Sequence, residues 1–154
     1  MMLSRASKYA ILSTLFLAEH SSETHKISVK VIAESIDVPN PFLAKLFQQL
    51  VRGKIISSTK GPNGGFYLTK KNGKRTVLDI IENIDGLSRL NECFLGLSEC
   101  DGLNPCPVHF IVEPFKNGIL GKFRDLSIME FSKEIIAQGR KLTLKDISTD
   151  FEKK

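Results

Sequence analysis

DVPNPFLAKLFQQLVRGKIISSTKGPNGGFYLTK, residues 37–70, holds a helix start, an amphipathic helix and a hairpin in one segment. Pro39 and Pro41 forbid continuation of a preceding helix. Asn40 followed by Pro41 offers an N-cap and a first-turn proline, so a helix is predicted to begin there. Its apolar stripe is Leu43, Leu46, Phe47 and Leu50 with Val51 at the edge, and Gly53 is placed to terminate it. The opposite face carries Ala44, Lys45, Gln48, Gln49 and Arg52. Beyond it, KIISSTK (54–60) and FYLTKK (66–71) are β-compatible runs flanking GPNGG, and Asn63-Gly64 tolerates the positive φ of a tight hairpin turn. A helix followed at once by a two-stranded wing is the expectation.

Upstream, Ser4 caps a helix in which Ala6, Tyr9, Ala10, Ser13, Phe16 and Leu17 recur at spacings of three and four, ending near His20 before the turn-like SSETH. Ser28 caps a shorter one with Val29, Ile32, Ala33 and Ile36 on one face, stopping at Asp37. Downstream, Thr76 and Asp79 have capping-box spacing ahead of Val77, Ile80, Ile81 and Ile84, and Asp85-Gly86 ends that helix. Ile111, Phe115, Ile119, Phe123 and Leu126 mark a long amphipathic helix in which Pro114, Gly118 and Gly121 imply a kink. Ser127 and Glu130 cap a final helix through Ile136, and the polar residues after Gly139 read as a mobile tail. The fold class is therefore mainly α with a small β-hairpin, a winged helix-turn-helix plus a long helix. Residues 1–86 form the expected DNA-binding domain, 87–109 a cysteine-rich loop, 110–137 the last helices and 138–154 a polar tail.

Charge divides along the same line. Residues 1–75 carry twelve Lys and Arg against four Asp and Glu, a net of +8, whereas residues 76–154 carry ten against thirteen, a net of −3. A basic first half points to a polyanion, most often nucleic acid. No apolar run approaches the roughly 18 residues of a membrane span, and Met1-Met2 leads straight into an amphipathic pattern with no signal-peptide layout. A cytoplasmic protein without membrane contact is expected.

The candidate nucleic-acid contacts follow from side-chain chemistry. Lys45, Gln48, Gln49 and Arg52 lie on the polar side of the third helix, where amides pair with adenine and cations meet phosphate or guanine. Lys60 brackets the hairpin tip that contains Asn63, and Lys70, Lys71, Lys74 and Arg75 follow it toward a neighbouring groove or phosphates. Ser4, Arg5 and Lys8 open the first helix, whose N–H groups add phosphate contacts.

All three cysteines fall in ECFLGLSECDGLNPCPVH, residues 92–109, spaced Cys93-x6-Cys100-x5-Cys106-x2-His109. An odd number of thiols in a reducing compartment argues against a disulfide framework and for metal or redox chemistry. Structural zinc prefers close Cys pairs on knuckle turns, and none occurs here. The longer intervals suit an iron–sulfur cluster, held mainly by cysteine thiolates with histidine as a substitute. His109, one helical turn from Cys106, is the candidate fourth donor.

LSRASKYAILSTLFLA (3–18), the 37–70 block, VLDIIENIDG (77–86) and the three-cysteine loop together resemble the Rrf family of winged-helix regulators, which includes IscR and NsrR, across roughly residues 1–136. The resemblance implies a homodimeric transcription regulator that binds a palindromic double-stranded operator, with the helix after the loop at the dimer interface and residues 110–137 as dimerisation helices. It implies a cluster on Cys93, Cys100 and Cys106. In the IscR type the fourth ligand is a histidine matching His109, which favours a two-iron over a four-iron cluster. The NsrR type takes an aspartate from the first helix, and Lys8 stands there instead. By the same resemblance the recognition helix begins at Pro41-Phe42, Ala44 occupies a position that is acidic in some IscR-type members, and Lys60 reaches the minor groove.

Two rival readings stay open: a winged-helix regulator with a zinc or thiol sensor, and a small electron-transfer protein, which would not need the basic face. An enzyme is disfavoured, since no nucleophile–base arrangement is placed and GPNGG lacks the Lys and Ser or Thr of a phosphate-binding loop.

Overall fold

The computed structural model describes residues 3–98, 100–140 and 142. The chain runs α1 (Arg5–His20), α2 (Val29–Ile36), α3 (Asn40–Arg52), β1 (Ser57–Thr59), β2 (Gly65–Tyr67), α4 (Lys70–Gly73), α5 (Val77–Asp85), a 3-10 turn (Leu87–Asn91), α6 (His109–Asp125) and α7 (Ile128–Ala137). The hub is α1, which packs against α2, α3, α5 and α7. Neighbours on several sides explain why Ser7, Ile11, Thr14 and Leu15 are buried beside the expected Ala10, Ser13 and Leu17. Such burial has to satisfy polar groups. Ser13 donates to the Tyr9 carbonyl at 2.7 Å and Ser7 to Asp85 Oδ2 at 2.8 Å.

In α2 the buried residues are Ile32, Ala33 and Ile36, and Asp37 takes the left-handed conformation (φ 61°) that ends it. The start of α3 differs from the expectation. Pro39, not Asn40, is the N-cap: its carbonyl accepts the Leu43 N–H at 3.0 Å, while Asn40 is the first helical residue and is exposed. Pro39 already holds the required backbone (φ −57°, ψ 126°), and Pro41 has no N–H to satisfy, so the helix starts without a side-chain cap. Leu43, Leu46, Phe47 and Leu50 are buried as the stripe predicts. At the other end the left-handed residue is Lys54 (φ 57°), one past Gly53. Gly53 is the C-cap, as the sequence places it, its N–H donating to the Gln49 carbonyl at 2.9 Å, and it also permits close approach, since a Cβ there would collide with the Asn83 side chain on α5.

Each wing strand is only three residues long, paired antiparallel as Ser57↔Tyr67, Ser58↔Phe66 and Thr59↔Gly65. The sequence runs are longer because Ile55 and Ile56 turn into the core instead of pairing. On the far side a Thr69/Asn72 capping box coils Lys70–Gly73 into α4, overturning the expected strand through Lys71. Ile27 adds a rung at the wing base, exchanging both backbone hydrogen bonds with Phe66 (2.9 and 2.8 Å). Gly65 (φ 152°) makes this docking possible, since a Cβ would sit 2.9 Å from the Ile27 carbonyl oxygen.

The Thr76/Asp79 capping box starts α5, and Arg75 Nε donates to Asp79 Oδ2 at 3.0 Å. Partial burial raises the Asp79 pKa, but the Thr76 N–H and the Arg75 guanidinium outweigh it and hold the carboxyl below its ordinary value. From Gly86 the chain passes through buried Leu90 into the cysteine loop and then α6, which is helical straight through Pro114. Only part of the predicted α6 stripe is covered: Ile119, Phe123 and Leu126 are half-buried, whereas Ile111 and Phe115 are 76% and 67% exposed. The Ser127/Glu130 box starts α7, whose Ile128 N–H donates to the Arg75 carbonyl at 2.7 Å and so ties the start of α7 to the segment just before α5. Most of the expected polar tail, residues 141 and 143–154, lies outside the described residues; Leu142 is half-buried against the core. Among the described residues no helix is long and apolar enough to cross a membrane.

Candidate nucleic-acid interface and cysteine cavity

A cleft of about 440 Å³ runs between α3 and the wing, and it brings together Gln48, Arg52 and Lys60 with Ser58, Thr59 and Phe66. Lys45 and Asn63 are also exposed, while Gln49 and Ala44 are half-buried at the edge of the helix. Pro41 and Phe42 are exposed at the start of α3, and the Phe42 ring packs edge-on against Tyr9 of α1 with centroids 5.5 Å apart. That contact ties the two helix starts. Ser4 spends its hydroxyl capping α1 (Ser7 N–H, 3.0 Å), leaving Arg5 and Lys8 as the exposed cations there.

Four cations that follow the wing lie apart from this cleft. Arg75 is engaged structurally, with Asp79 at 3.0 Å and the Gly53 carbonyl at 3.3 Å. Lys70, Lys71 and Lys74 line a separate groove against the end of α1 and the start of α7, because α4 turns the chain away from the hairpin. Ser58 and Thr59 also line the cleft and were not among the sequence candidates; the available signal was a polar pair directly before Lys60.

The cysteine loop closes on itself. Cys100 N–H donates to the Asn91 carbonyl (3.1 Å), Gly96 N–H to Cys93 (2.9 Å) and His109 N–H to Cys106 (3.0 Å). These bonds draw Cys93, Cys100, Cys106 and His109 around one cavity of about 230 Å³. The four donors sit as two pairs. Cys100 Sγ is 3.2 Å from His109 Nδ1, and the Cys106 thiol is within hydrogen-bonding reach of Cys93. The Leu95 N–H, then the Cys106 thiol and the Leu97 N–H, favour the Cys93 thiolate over the opposing effect of burial and hold its pKa below the ordinary cysteine value.

His109 is 2% exposed and opens α6. Its Nε2 lies 3.0 Å from Glu113 Oε2 one turn along, yet off the N–H direction, so the ion-pair contact closes no hydrogen bond and that nitrogen has no hydrogen-bond partner among the described residues. Glu113 was legible only as a carboxylate four positions after a helical histidine. Three thiols and an imidazole around one cavity fit iron–sulfur ligation by donor type. Among the described residues no three His, Cys, Asp or Glu side chains gather closely enough to hold a single metal ion.

A basic winged helix with amides and cations on its recognition face defines a DNA-binding transcription regulator. The chain belongs to the Rrf2 family, whose model, described as an iron-dependent transcriptional regulator, matches residues 3–134. It is 33% identical over 132 residues to an HTH-type transcriptional regulator of Aquifex aeolicus, covering 84% of this chain and 90% of that one. It is 27% identical over 130 residues to the transcriptional regulator IscR of Enterobacter sp., covering 84% and 78%. Solved structures share the fold: CymR, the global cysteine regulator of B. subtilis (TM-score 0.66, 17% identity, 87% of this chain and 98% of that one), and T. potens IscR (TM-score 0.62, 22% identity, 87% and 88%). These relatives are transcriptional regulators, not enzymes.

Proposed function

We propose that the protein is a cytoplasmic homodimeric regulator that reads a palindromic operator and holds an iron–sulfur cluster on Cys93, Cys100, Cys106 and His109. The observation that carries this reading is the shared cavity of those four donors at the foot of α6. Three thiols and one imidazole are the donor set that would hold a two-iron cluster, favoured here over a four-iron one. Bound there, the cluster supplies one-electron chemistry and its own lability to oxidation or nitric oxide.

The chain's residues do the rest. Exposed Phe110, Ile111 and Phe115 on α6 give a second copy an apolar face to cover. Gln48, Gln49, Lys45 and Arg52 read or anchor the major groove from α3, with Pro41, Phe42 and Ala44 at its entry. Lys60 and Asn63 reach an adjacent groove from the wing, while Arg5 and Lys8, on the helix that Ser4 caps, hold phosphate. A dimer places two such helices about one turn of DNA apart, roughly 34–36 Å. Because the loop runs from α5 into α6, loss or oxidation of the cluster changes how the two recognition helices are presented.

Anaerobic iron and sulfide analysis with visible spectroscopy tests the reading. Iron and sulfide in equal amounts are expected, lost in Cys106→Ala and spectrally altered in His109→Ala. An unchanged spectrum in His109→Ala removes that ligand, and colourless zinc protein sinks the cluster. Mobility shifts at stated salt, with and without cluster, are expected to differ in operator affinity; equal binding across several operators would end the switching claim.

A further inference from the structure

The three thiols of the loop have different neighbours. Cys100 Sγ faces the His109 ring at 3.2 Å from Nδ1. Cys93 and Cys106 line the same cavity, and a hydrogen bond from the Cys106 thiol is one of the effects that favour the Cys93 thiolate. Cys100 and Cys106 are partly exposed and Cys93 is buried, so of the Cys93 and Cys106 pair a small oxidant arriving through the cavity meets Cys106 first, while a bulky thiol does not reach Cys93.

We propose that in the chain without a cluster Cys93 and Cys106 form an intramolecular disulfide when challenged by hydrogen peroxide, leaving Cys100 a free thiol. The Cys106 sulfur attacks a peroxide oxygen, the O–O bond breaks, and one water leaves as the sulfenic acid forms. The Cys93 sulfur then attacks that sulfur, the S–O bond breaks, and a second water leaves. Two thiols give up two electrons and the peroxide is reduced to two waters. A dithiol reductant reverses the bond. The bond needs no cluster, so it is independent of the reading above. While it lasts, it withdraws two of the four donors from any metal.

The test uses the full-length chain, stripped with a chelator, held anaerobically and exposed to hydrogen peroxide, then alkylated and mapped by mass spectrometry. Trypsin leaves all three cysteines on one peptide, Leu90–Lys116, because no Lys or Arg lies between its ends. Parallel digests then separate the pair: cleavage after Glu99 leaves Cys93 on one fragment and Cys100 with Cys106 on the next, and cleavage before Asp101 leaves Cys93 with Cys100 on one and Cys106 on the next. The expected product in each digest joins the two fragments through Cys93 and Cys106 and carries the alkyl label on Cys100. Cys100→Ser is expected to keep the disulfide yield within about twofold, and Cys93→Ser or Cys106→Ser to lower it by more than about tenfold. A dominant bond to Cys100, a bond between two chains, or accumulation of sulfinic acid with no bond would each overturn the assignment. The wild-type map decides the question even if a serine variant fails to fold.

Discussion

Phe47 in α3 and Phe115 in α6 are the same side chain in opposite circumstances. Phe47 is 0% exposed, stacked edge-on against Phe66 of the wing at 4.8 Å and enclosed by the α1–α3–α5 core. Phe115 is 67% exposed, in a region where Leu103 reaches 97% and Phe110 and Ile111 exceed 70%. The DNA-binding half completes its core within one chain. The loop and α6 leave apolar surface uncovered, the condition of a segment built to meet something else.

Substitution at these two positions gives the largest contrast. Phe47→Ala is expected to cost about 3–5 kcal/mol of folding stability in urea titration. Phe115→Ala should leave the folding of the dilute monomer within about 0.5 kcal/mol and weaken self-association about tenfold by analytical ultracentrifugation. Equal effects of the two changes on folding would erase the distinction. Gly65→Ala probes the seam between wing and core: the new Cβ meets the Ile27 backbone, and a loss of about 1–3 kcal/mol is expected, with weaker operator binding from a displaced wing. A thermal midpoint equal to wild type would mean the Ile27 rung is dispensable.

The smallest effect concerns pH. The folded pKa of Asp79 lies below its ordinary 3.8, so its contribution is present above that value and is lost as pH falls through the folded pKa. Asp79→Asn should cost about 1 kcal/mol at pH 6, and its gap from wild type should close as the medium is acidified below the ordinary value. A gap that does not narrow on acidification would assign the effect to packing instead of charge.

Legibility followed the number of sides on which a helix is covered. The stripes of α2, α3 and α5 were readable because each packs one face, so Ile32, Ala33 and Ile36, or Leu43, Leu46, Phe47 and Leu50, recur at helical spacing. Periodicity understates α1, where Ser7 and Thr14 are buried by neighbours the sequence does not reveal. The short α4 was hidden because Asn72 plays the capping role more often given to Glu or Gln. At the cavity the four donor types and their spacing were legible; their sorting into pairs was not. That sorting depends on long backbone bonds such as Cys100 to Asn91, which no local pattern announces.

The rung between Ile27 and Phe66 has a consequence for the DNA as well. It fastens the wing to the linker between α1 and α2, while Phe47 braces it from α3, so wing and recognition helix share one base. A caliper with fixed jaws cannot follow a duplex whose groove spacing varies. The duplex has to deform to fit, at an energy set by the stiffness of its base steps. Operators are then ranked partly by base pairs that no side chain touches.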